Sequence, residues 1–300
     1  MSELLTAYLD QIRADFPTLD IGSARLNSDG MVNNVVIVNG DLVFRFAKTD
    51  YGRQLLAYEA QLLELIAPYV SAQIPLFIHR TPAYVQYQLV PGNPLYGYLL
   101  LRTEPQIKER LAVGLAIFLA ELHAIPLEGV PEPPGTSSQP LLSRRAFYEQ
   151  RLAALESDVF PLLWADQKAW VYDLYAPVVE GSLDLDAYTP RLIHRDLAAY
   201  HILYDPAQGS LAGIIDFGTA GMGDPAVDWG CLIGAYGESF VRRMHATYPL
   251  DQATLDRARF LAGAIELEWA LIGIQQKDPS MLLVHIGGAR DRQALLTPWE

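Results

Sequence analysis

The sequence is poor in cysteine, in long apolar runs and in basic residues. Its single cysteine, Cys231, cannot form an internal disulfide, which is typical of a reducing compartment. No apolar stretch reaches the roughly 18 to 20 residues that a membrane-spanning helix needs, and residues 1–10 resemble an amphipathic helix more than a signal peptide. The 22 Lys and Arg residues are outnumbered by 35 Asp and Glu residues, and this acidity disfavours a nucleic-acid backbone as partner. We therefore expect a cytoplasmic protein that binds neither membranes nor nucleic acids.

Two short motifs each place an aspartate directly after an apolar, strand-like segment. The first reads Leu-Ile-His-Arg-Asp-Leu at residues 192–197, and the second reads Ile-Ile-Asp-Phe-Gly at residues 214–218. Phosphoryl transfer needs one carboxylate that orients the attacking hydroxyl and another that holds a metal ion on the phosphates. Asp196 and Asp216 stand where the His-Arg-Asp and Asp-Phe-Gly motifs of kinases place those carboxylates. Either aspartate alone is explained equally well as a turn residue after a core strand. Together, and in this order, they predict a kinase.

The first third of the chain predicts a small antiparallel sheet. Strand-like runs at residues 35–38 and 42–46 flank Asn39-Gly40, which is a strong hairpin signal. A helix is expected over residues 52–66, and a further strand over residues 84–90. The Pro-Gly-Asn-Pro run that follows marks a boundary between two lobes.

Beyond that boundary the apolar periodicity predicts a mainly helical part. Helices are expected at about residues 107–123, 144–155, 167–179, 226–235, 239–246 and 255–275. We therefore expect an α+β fold with an N-terminal lobe over residues 1–91 and a C-terminal lobe over residues 92–300.

A kinase also needs a cation on its third strand to meet the phosphates, braced by a glutamate on the next helix. Arg45 matches the register of the usual lysine, and Lys48 at the end of the strand is the competing candidate. Strand alternation places these two side chains on opposite faces, so only one can meet the glutamate. Glu59 is the favoured partner and Glu64 the alternative. The simpler explanations are an edge-strand arginine and a solvated helix face.

Three more residues complete the candidates for nucleotide binding. Ser28 lies in the turn at residues 27–33, whose backbone amides would cover the phosphates. That turn has one glycine and is not a Gly-x-Gly-x-x-Gly loop. Gln88 and Val90 lie at the end of the last strand before the lobe boundary.

These motifs resemble the aminoglycoside phosphotransferase family of kinase-like enzymes over nearly the whole chain. Four segments carry the resemblance: residues 42–48 as the third strand, 119–123 as the end of the first large-lobe helix, 194–205 as the catalytic loop, and 213–228 as the metal loop with the helix after it. The resemblance implies a two-lobed, protein-kinase-like fold that binds ATP or GTP with Mg²⁺ in the cleft. It implies Asp196 as the catalytic base with His194 beside it, and Asp216 as the metal ligand.

Two features depart from protein kinases. Only five residues, 219–223, separate Gly218 from Asp224-Pro225, so no peptide-binding activation segment can be built and a small hydroxylated acceptor is expected. His201 replaces the asparagine that would bind a second metal ion, and Mg²⁺ prefers oxygen ligands. Some antibiotic kinases of the family resemble this chain in having histidine there, so the change need not abolish activity. His201 is a candidate at the metal site, and the alternative is a hydrogen bond from His201 to a phosphate or to water.

The acceptor is predicted from five residues in the last third of the chain. A polycationic aminoglycoside needs unpaired carboxylates, for which Asp228, Glu238, Glu266 and Glu268 are candidates, with Trp269 as an apolar wall. Ordinary helix surface explains Glu266 and Glu268 slightly better than a role in binding. The expected function is phosphoryl transfer to an antibiotic, with an aminoglycoside as first choice. The alternatives are a macrolide, a peptide antibiotic, choline or a sugar, and a nucleotide-binding pseudo-enzyme is the non-enzymatic rival.

Overall fold

The computed structural model describes residues 3–135 and 143–278. Its N-terminal part is a five-stranded antiparallel sheet with the strand order β1-β2-β3-β5-β4. The elements of this part are α1 (Glu3–Asp15), β1 (Ala24–Asn27), β2 (Asn33–Val38), β3 (Leu42–Ala47), α2 (Asp50–Ile66), β4 (Phe77–Arg80) and β5 (Tyr84–Gln88). The predicted hairpin is confirmed, because Val38 pairs with Leu42 across a turn in which Asn39 and Gly40 both have positive φ.

The two faces of β3 serve different neighbours, as the alternation of a strand requires. Phe44 and Phe46 pack on α1, in a cluster with Leu9 and Ile12. Val43 lies on the opposite face, in the main core with the apolar side of α2. Arg45 shares the face of Val43 and is therefore directed towards α2.

The C-terminal part is mainly helical, as the sequence predicts. Its helices are α3 (Gly97–Arg102), α4 (Pro105–His123), α5 (Arg144–Ala154), α6 (Ala165–Val179), α7 (Ala226–Tyr236), α8 (Glu238–Val241) and α9 (Gln252–Gln276). The expected helices at residues 107–123, 144–155, 167–179, 226–235 and 255–275 are confirmed to within a few residues. The helix expected at residues 239–246 is instead the short α8 followed by a 3₁₀ turn, Arg242–Ala246.

Two small sheets interrupt these helices and support the two aspartate motifs of the sequence. One pairs β7 (Arg191–Ile193) with β10 (Gly221–Gly223). The other has the order β6-β8-β9, from β6 (Asn93–Pro94), β8 (Ile202–Asp205) and β9 (Ser210–Ile214). Because β7 ends directly before His194 and β9 ends just before Asp216, each predicted aspartate follows a short strand. No helix within the described ranges is long and apolar enough to cross a membrane.

Candidate active site

The two predicted aspartates lie on neighbouring loops. The segment after β7, here called the catalytic loop (residues 194–201), contains Asp196, whose side chain is 38% exposed. The segment after β9, here called the metal loop (residues 215–223), contains Asp216, whose side chain is 44% exposed. Both loops use left-handed backbone at a residue other than glycine, with φ of 69° at Arg195 and 68° at Asp216. Such strained positions cluster at functional sites, where the surrounding contacts hold them.

His201 joins the two carboxylates. Its Nδ1 lies 2.8 Å from the Asp196 carbonyl oxygen and 3.5 Å from Asp196 Oδ2, and its Nε2 lies 3.4 Å from Asp216 Oδ2. Burial lowers the pKa of His201, but hydrogen bonding to Asp216 and the charge of Asp196 outweigh it and raise that pKa above its ordinary value. Burial would likewise raise the pKa of Asp216, yet His201 and Arg45 hold it well below its usual range. Asp216 is therefore an anion at neutral pH.

His194 connects the same two loops through hydrogen bonds of its buried ring. Its Nδ1 accepts a hydrogen bond from the Asp196 backbone amide at 3.3 Å, so its Nε2 carries the proton that is donated to the Ile215 carbonyl at 3.1 Å. The ring is fully buried and packs on Phe217 at 4.6 Å between centroids. Burial lowers the pKa of His194, with a smaller opposing effect of Asp228. The neutral ring thus fixes the spacing of the loops and does not reach solvent.

Asp228, expected at the acceptor site, is fully buried beneath the catalytic loop. Its Oδ1 accepts from the Arg195 backbone amide at 2.7 Å, and its Oδ2 accepts from the His194 amide at 2.9 Å. The same Oδ2 lies 3.1 Å from His123 Nε2, whose Nδ1 lies 3.0 Å from the Tyr248 hydroxyl. Both carboxylate oxygens of Asp228 therefore have hydrogen-bond partners. These bonds orient the backbone of the catalytic loop around Arg195.

Arg45, not Lys48, pairs with Glu59. Arg45 Nη1 donates to Glu59 Oε1 at 2.9 Å, and Arg45 Nη2 lies 3.6 Å from Asp216 Oδ1. Glu59 Oε1 also accepts from the Phe217 backbone amide at 3.1 Å. Burial raises the pKa of Glu59, whereas Arg45 and the Phe217 amide favour its charged form. The pair therefore links the sheet, α2 and the metal loop through buried groups.

The remaining nucleotide candidates occupy distinct positions. Lys48 Nζ donates to the carbonyl oxygens of Ser28 and Gly30, at 2.8 and 2.5 Å, and so fastens the exposed turn that contains Ser28. Gln88 is exposed at the end of β5, and Val90 is buried. Val90 packs so tightly on Gly213 of β9 that no side chain would fit there. Glu64, the alternative partner on α2, forms an ion pair with Arg80 instead.

The other acceptor candidates differ in exposure. Glu238 is 2% exposed and forms a buried ion pair with Arg259, whose Nη2 lies 2.5 Å from Glu238 Oε1. Glu266 and Trp269 are half-buried on α9, and Glu266 Oε1 lies close to Gly234 of α7. The neighbouring Glu268 lies 3.0 Å from Arg151 Nη2. The structure thus leaves Glu266 and Trp269 half-buried on α9, with Glu266 beside α7, and places Glu238 inside the lobe.

Tyr58, Arg144 and Arg257, which the sequence did not single out, help to build the site. The Tyr58 hydroxyl donates to the Ala220 carbonyl at 2.5 Å and links α2 to the metal loop, across 162 positions of sequence. Asp224, which directly follows that loop, accepts from Arg144 of α5 at 2.8 Å and from Arg257 of α9 at 2.9 Å. No local pattern predicts partners so distant in sequence, although Asp224 itself lies within a recognised motif.

The donor atoms around Asp216 suit a magnesium ion. The described residues contain no cluster of three or more His, Cys, Asp or Glu side chains able to hold a metal. Mg²⁺ commonly takes only one or two carboxylates and completes its shell with water and substrate phosphates. Asp216 supplies a half-exposed, ionised carboxylate. His201 Nε2 lies 3.4 Å from Asp216 Oδ2 and therefore borders the place of the ion, although Mg²⁺ prefers oxygen ligands.

Comparison with known proteins places this geometry in one family. The model of the phosphotransferase enzyme family matches residues 23–261. Viomycin phosphotransferase of Streptomyces vinaceus is 26% identical over 218 residues, which are 70% of either chain. The GDP complex of wild-type aminoglycoside 2'-phosphotransferase-IIIa is 29% identical, with a TM-score of 0.80 over 94% of this chain and 95% of that one.

Two further structures extend the comparison. The GDP and kanamycin complex of APH(2")-IIIa has a TM-score of 0.78 at 29% identity, covering 93% of this chain and 96% of that one. The macrolide 2'-phosphotransferase MphH of Brachybacterium faecium shares the fold, with a TM-score of 0.69 at 19% identity over 98% and 99% of the two chains. The family match spans most of the sequence, including both aspartate motifs. The chain therefore belongs to the phosphotransferase enzyme family, whose kinase-like fold it has.

Proposed function

We propose that this protein transfers the γ-phosphoryl group of ATP or GTP to a hydroxyl of an antibiotic, with an aminoglycoside as the first candidate. The observation that carries the proposal is the meeting of Asp196 and Asp216 at His201, with contacts of 3.5 and 3.4 Å. A relative that phosphorylates viomycin and a neighbour that binds GDP with kanamycin support an antibiotic acceptor. The family match supports the phosphotransferase reaction.

Asp196 is the proposed catalytic base. Its half-exposed carboxylate orients the acceptor hydroxyl and takes its proton as the oxygen attacks the γ-phosphorus. The bond between the γ-phosphorus and the bridging oxygen of the β-phosphate breaks, and ADP or GDP leaves with that oxygen. His194 and Asp228 hold the loop through the Asp196, His194 and Arg195 amides. His194 therefore assists as a positioning residue.

Asp216 is the proposed ligand of Mg²⁺, with His201 Nε2 as a second contact. When bound, the ion neutralises charge on the phosphates as the transfer proceeds. Arg45 is the proposed phosphate-binding cation, because Glu59 orients it towards Asp216. Lys48 acts indirectly by fastening the turn of Ser28 over the phosphates.

The proposed nucleotide-binding lobe covers residues 1–91, and the proposed catalytic lobe covers residues 92–300. The proposed location of the protein is the cytoplasm. Gln88 and Val90 are the proposed contacts at the border between them. Glu266 and Trp269 remain the proposed acceptor residues. Asp228 and Glu238 are not among them, because internal hydrogen bonds and ion pairs occupy their carboxylates.

A macrolide or peptide antibiotic is the second candidate acceptor. It is favoured because two of the four carboxylates expected to bind a polycation, Asp228 and Glu238, are buried. Choline and simple sugars belong in the same test, and a pseudo-enzyme that only binds nucleotide is the remaining rival. Intact Asp196 and Asp216 argue for an active enzyme.

A nucleotide-consumption assay tests the proposal. ATP and GTP are each offered with Mg²⁺ and with kanamycin, viomycin, erythromycin, choline or glucose, and the products are analysed by mass spectrometry. We expect at least one antibiotic to gain a single phosphoryl group. Nucleotide binding without any phosphorylated acceptor would favour the pseudo-enzyme.

A further inference from the structure

We propose that Tyr96, Tyr98 and Tyr200 form a tyrosine surface that packs against an uncharged ring face of the acceptor. Sugars and macrocycles have ring faces of this kind. This inference rests on the proposed function, because it concerns the acceptor half of that reaction. It adds a binding surface to a site otherwise defined by carboxylates.

Tyr200 lies beside the proposed catalytic base. It belongs to the catalytic loop, and its ring packs edge-on against His201 with 4.4 Å between centroids. His201 in turn contacts both Asp196 and Asp216. Tyr200 is nevertheless 51% exposed. An acceptor whose hydroxyl reaches Asp196 would therefore lie within reach of this ring.

Tyr96 and Tyr98 follow β6, the strand that pairs with β8 after the catalytic loop. Their rings are stacked, with 5.8 Å between centroids and 12° between planes, and they are 40% and 64% exposed. The Leu95 amide donates to the Ile202 carbonyl at 2.8 Å, which extends the pairing of β6 with β8 by one residue. The backbone of Tyr96 therefore lies beside His201, the neighbour of Tyr200.

The backbone fixes the Tyr96–Tyr98 pair in place. Residues 93–94 form β6 and pair with β8, the strand that follows the catalytic loop. Gly97, between the two tyrosines, lies against the Ala235 carbonyl at the end of α7, where an added Cβ would be 2.6 Å from that oxygen. The start of α3 is therefore held firmly between the catalytic loop and α7.

Three exposed aromatic rings at one site indicate a ligand contact. A single exposed tyrosine needs no explanation, because apolar atoms make up much of any protein surface. Tyrosine provides a large, rigid contact area with a polar tip at little entropic cost, which suits ring faces that also carry hydroxyl groups. The surface therefore matches a hydroxylated ring compound.

The contacts of the nearby carboxylates favour an acceptor that is bound by aromatic contact area over one that is bound by its charge. Asp228 and Glu238 are buried and bonded within the lobe, and Glu268 pairs with Arg151. An acceptor held mainly through several ammonium groups would need carboxylates that these contacts occupy. Stacking on the tyrosine surface needs none of them.

Protection from nitration tests the tyrosine surface without relying on turnover. The full chain is treated with tetranitromethane alone, with nucleotide and Mg²⁺, or with kanamycin, viomycin or erythromycin, and nitration is quantified by mass spectrometry. At a concentration several times its dissociation constant, at least one of the three antibiotics should lower nitration of Tyr98 by about threefold or more, because only the unbound chain reacts. Tyr69, which is 51% exposed and lies just after α2, is the internal control and should be unaffected.

Each outcome bears on one proposal. Unchanged nitration of Tyr98 with all three antibiotics would overturn the tyrosine surface, as would protection of Tyr98 by nucleotide alone. Phosphorylation of an antibiotic without protection would contradict this inference and leave the proposed function standing. Protection without phosphorylation of any antibiotic would support the tyrosine surface and contradict the proposed function.

Substitutions provide a second measurement for any antibiotic that is phosphorylated. Tyr98→Ala and Tyr200→Ala should each raise the acceptor KM about 5- to 10-fold, with an unchanged dissociation constant for nucleotide. Tyr98→Phe keeps the ring and should restore KM to within about twofold. Tyr69→Ala is the matched control. Unchanged acceptor KM in both alanine variants would overturn the inference.

Discussion

Asp228 Oδ1 accepts a 2.7 Å hydrogen bond from the backbone amide of Arg195, a residue held at a φ of 69°. The next residue is Asp196, the proposed base. A buried carboxylate thus maintains a strained backbone one residue from the chemistry, and the energy stored there is offset by charge-assisted hydrogen bonds. The geometry of the catalytic loop therefore depends on α7 as much as on its own sequence.

Replacing Asp228 with asparagine tests this dependence. The amide has a single acceptor oxygen, so one of the two loop amides loses its partner in a fully buried place. We expect unfolding to become easier by about 2 to 4 kcal/mol and kcat to fall with little change in the nucleotide KM. Denaturant melts and steady-state kinetics measure both quantities.

Asp173→Asn, on the exposed side of α6, is the matched control and should change neither quantity. Equal stability and kcat for Asp228→Asn and the wild type would show that the loop does not need this carboxylate.

Removing Glu59 should disturb the nucleotide side of the cleft. Glu59→Ala leaves the buried Arg45 guanidinium without its 2.9 Å partner and the Phe217 amide without its acceptor. We expect a loss of about 3 to 5 kcal/mol of stability and weaker binding of nucleotide, measured by calorimetric titration. Glu64→Ala removes an exposed carboxylate from the same helix and should cost less than about 1 kcal/mol. Similar losses in the two variants would argue against a special role for the Arg45–Glu59 pair.

We expect His194 to make the folding stability of the protein fall at acidic pH. Burial lowers its pKa below that of an unfolded histidine, about 6.5, so the unfolded chain binds the proton more readily. Its stabilising contribution is complete above pH 6.5 and is lost as the pH falls through the folded pKa. The raised pKa of His201 acts in the opposite direction, so the informative comparison is between the wild type and His194→Gln.

Between pH 6.5 and 5 the wild type should lose up to about 1.4 kcal/mol per pH unit more than His194→Gln does. Thermal melts across that range measure the difference. Parallel pH profiles would mean that His194 does not titrate as a buried, neutral ring.

Asp216→Ala should abolish the tightening of nucleotide binding by Mg²⁺, because the ion loses its carboxylate ligand. Titration of the nucleotide with Mg²⁺ and with EDTA, in the wild type and the variant, provides the measurement. A variant that retains the full metal effect would place the ligand elsewhere.

Much of this fold was predictable because its signals are local. The Asn39-Gly40 turn, the period of α4 and the strand before each aspartate can be read from neighbouring residues. Strand alternation allowed only one of Arg45 and Lys48 to meet the glutamate, and Arg45 was favoured because its register matches the usual lysine of kinases. The contact between Arg45 and Glu59 confirms that pairing. The strands β4, β6, β8 and β10 have only two to four residues and were too short for a periodic signal.

The roles of the acidic residues were less predictable, because a sequence does not show where distant partners lie. Asp228 and Glu238 are acidic and were therefore expected to bind a cationic acceptor. In the structure, the catalytic loop and Arg259 occupy their carboxylates. The tyrosine surface also depends on juxtaposition, since Tyr96 and Tyr200 are far apart in sequence. Such contacts become visible only when the helices and loops are assembled.

The most direct measurement is acceptor phosphorylation by Asp196→Asn, using the antibiotic identified in the nucleotide-consumption assay. The amide keeps the shape of the side chain and loses its ability to take the proton. We predict that kcat falls by about 100-fold or more, with nucleotide affinity unchanged and with Asp173→Asn equal to the wild type. Near-wild-type turnover in Asp196→Asn would contradict the assignment of the catalytic base and, with it, the proposed phosphoryl-transfer site.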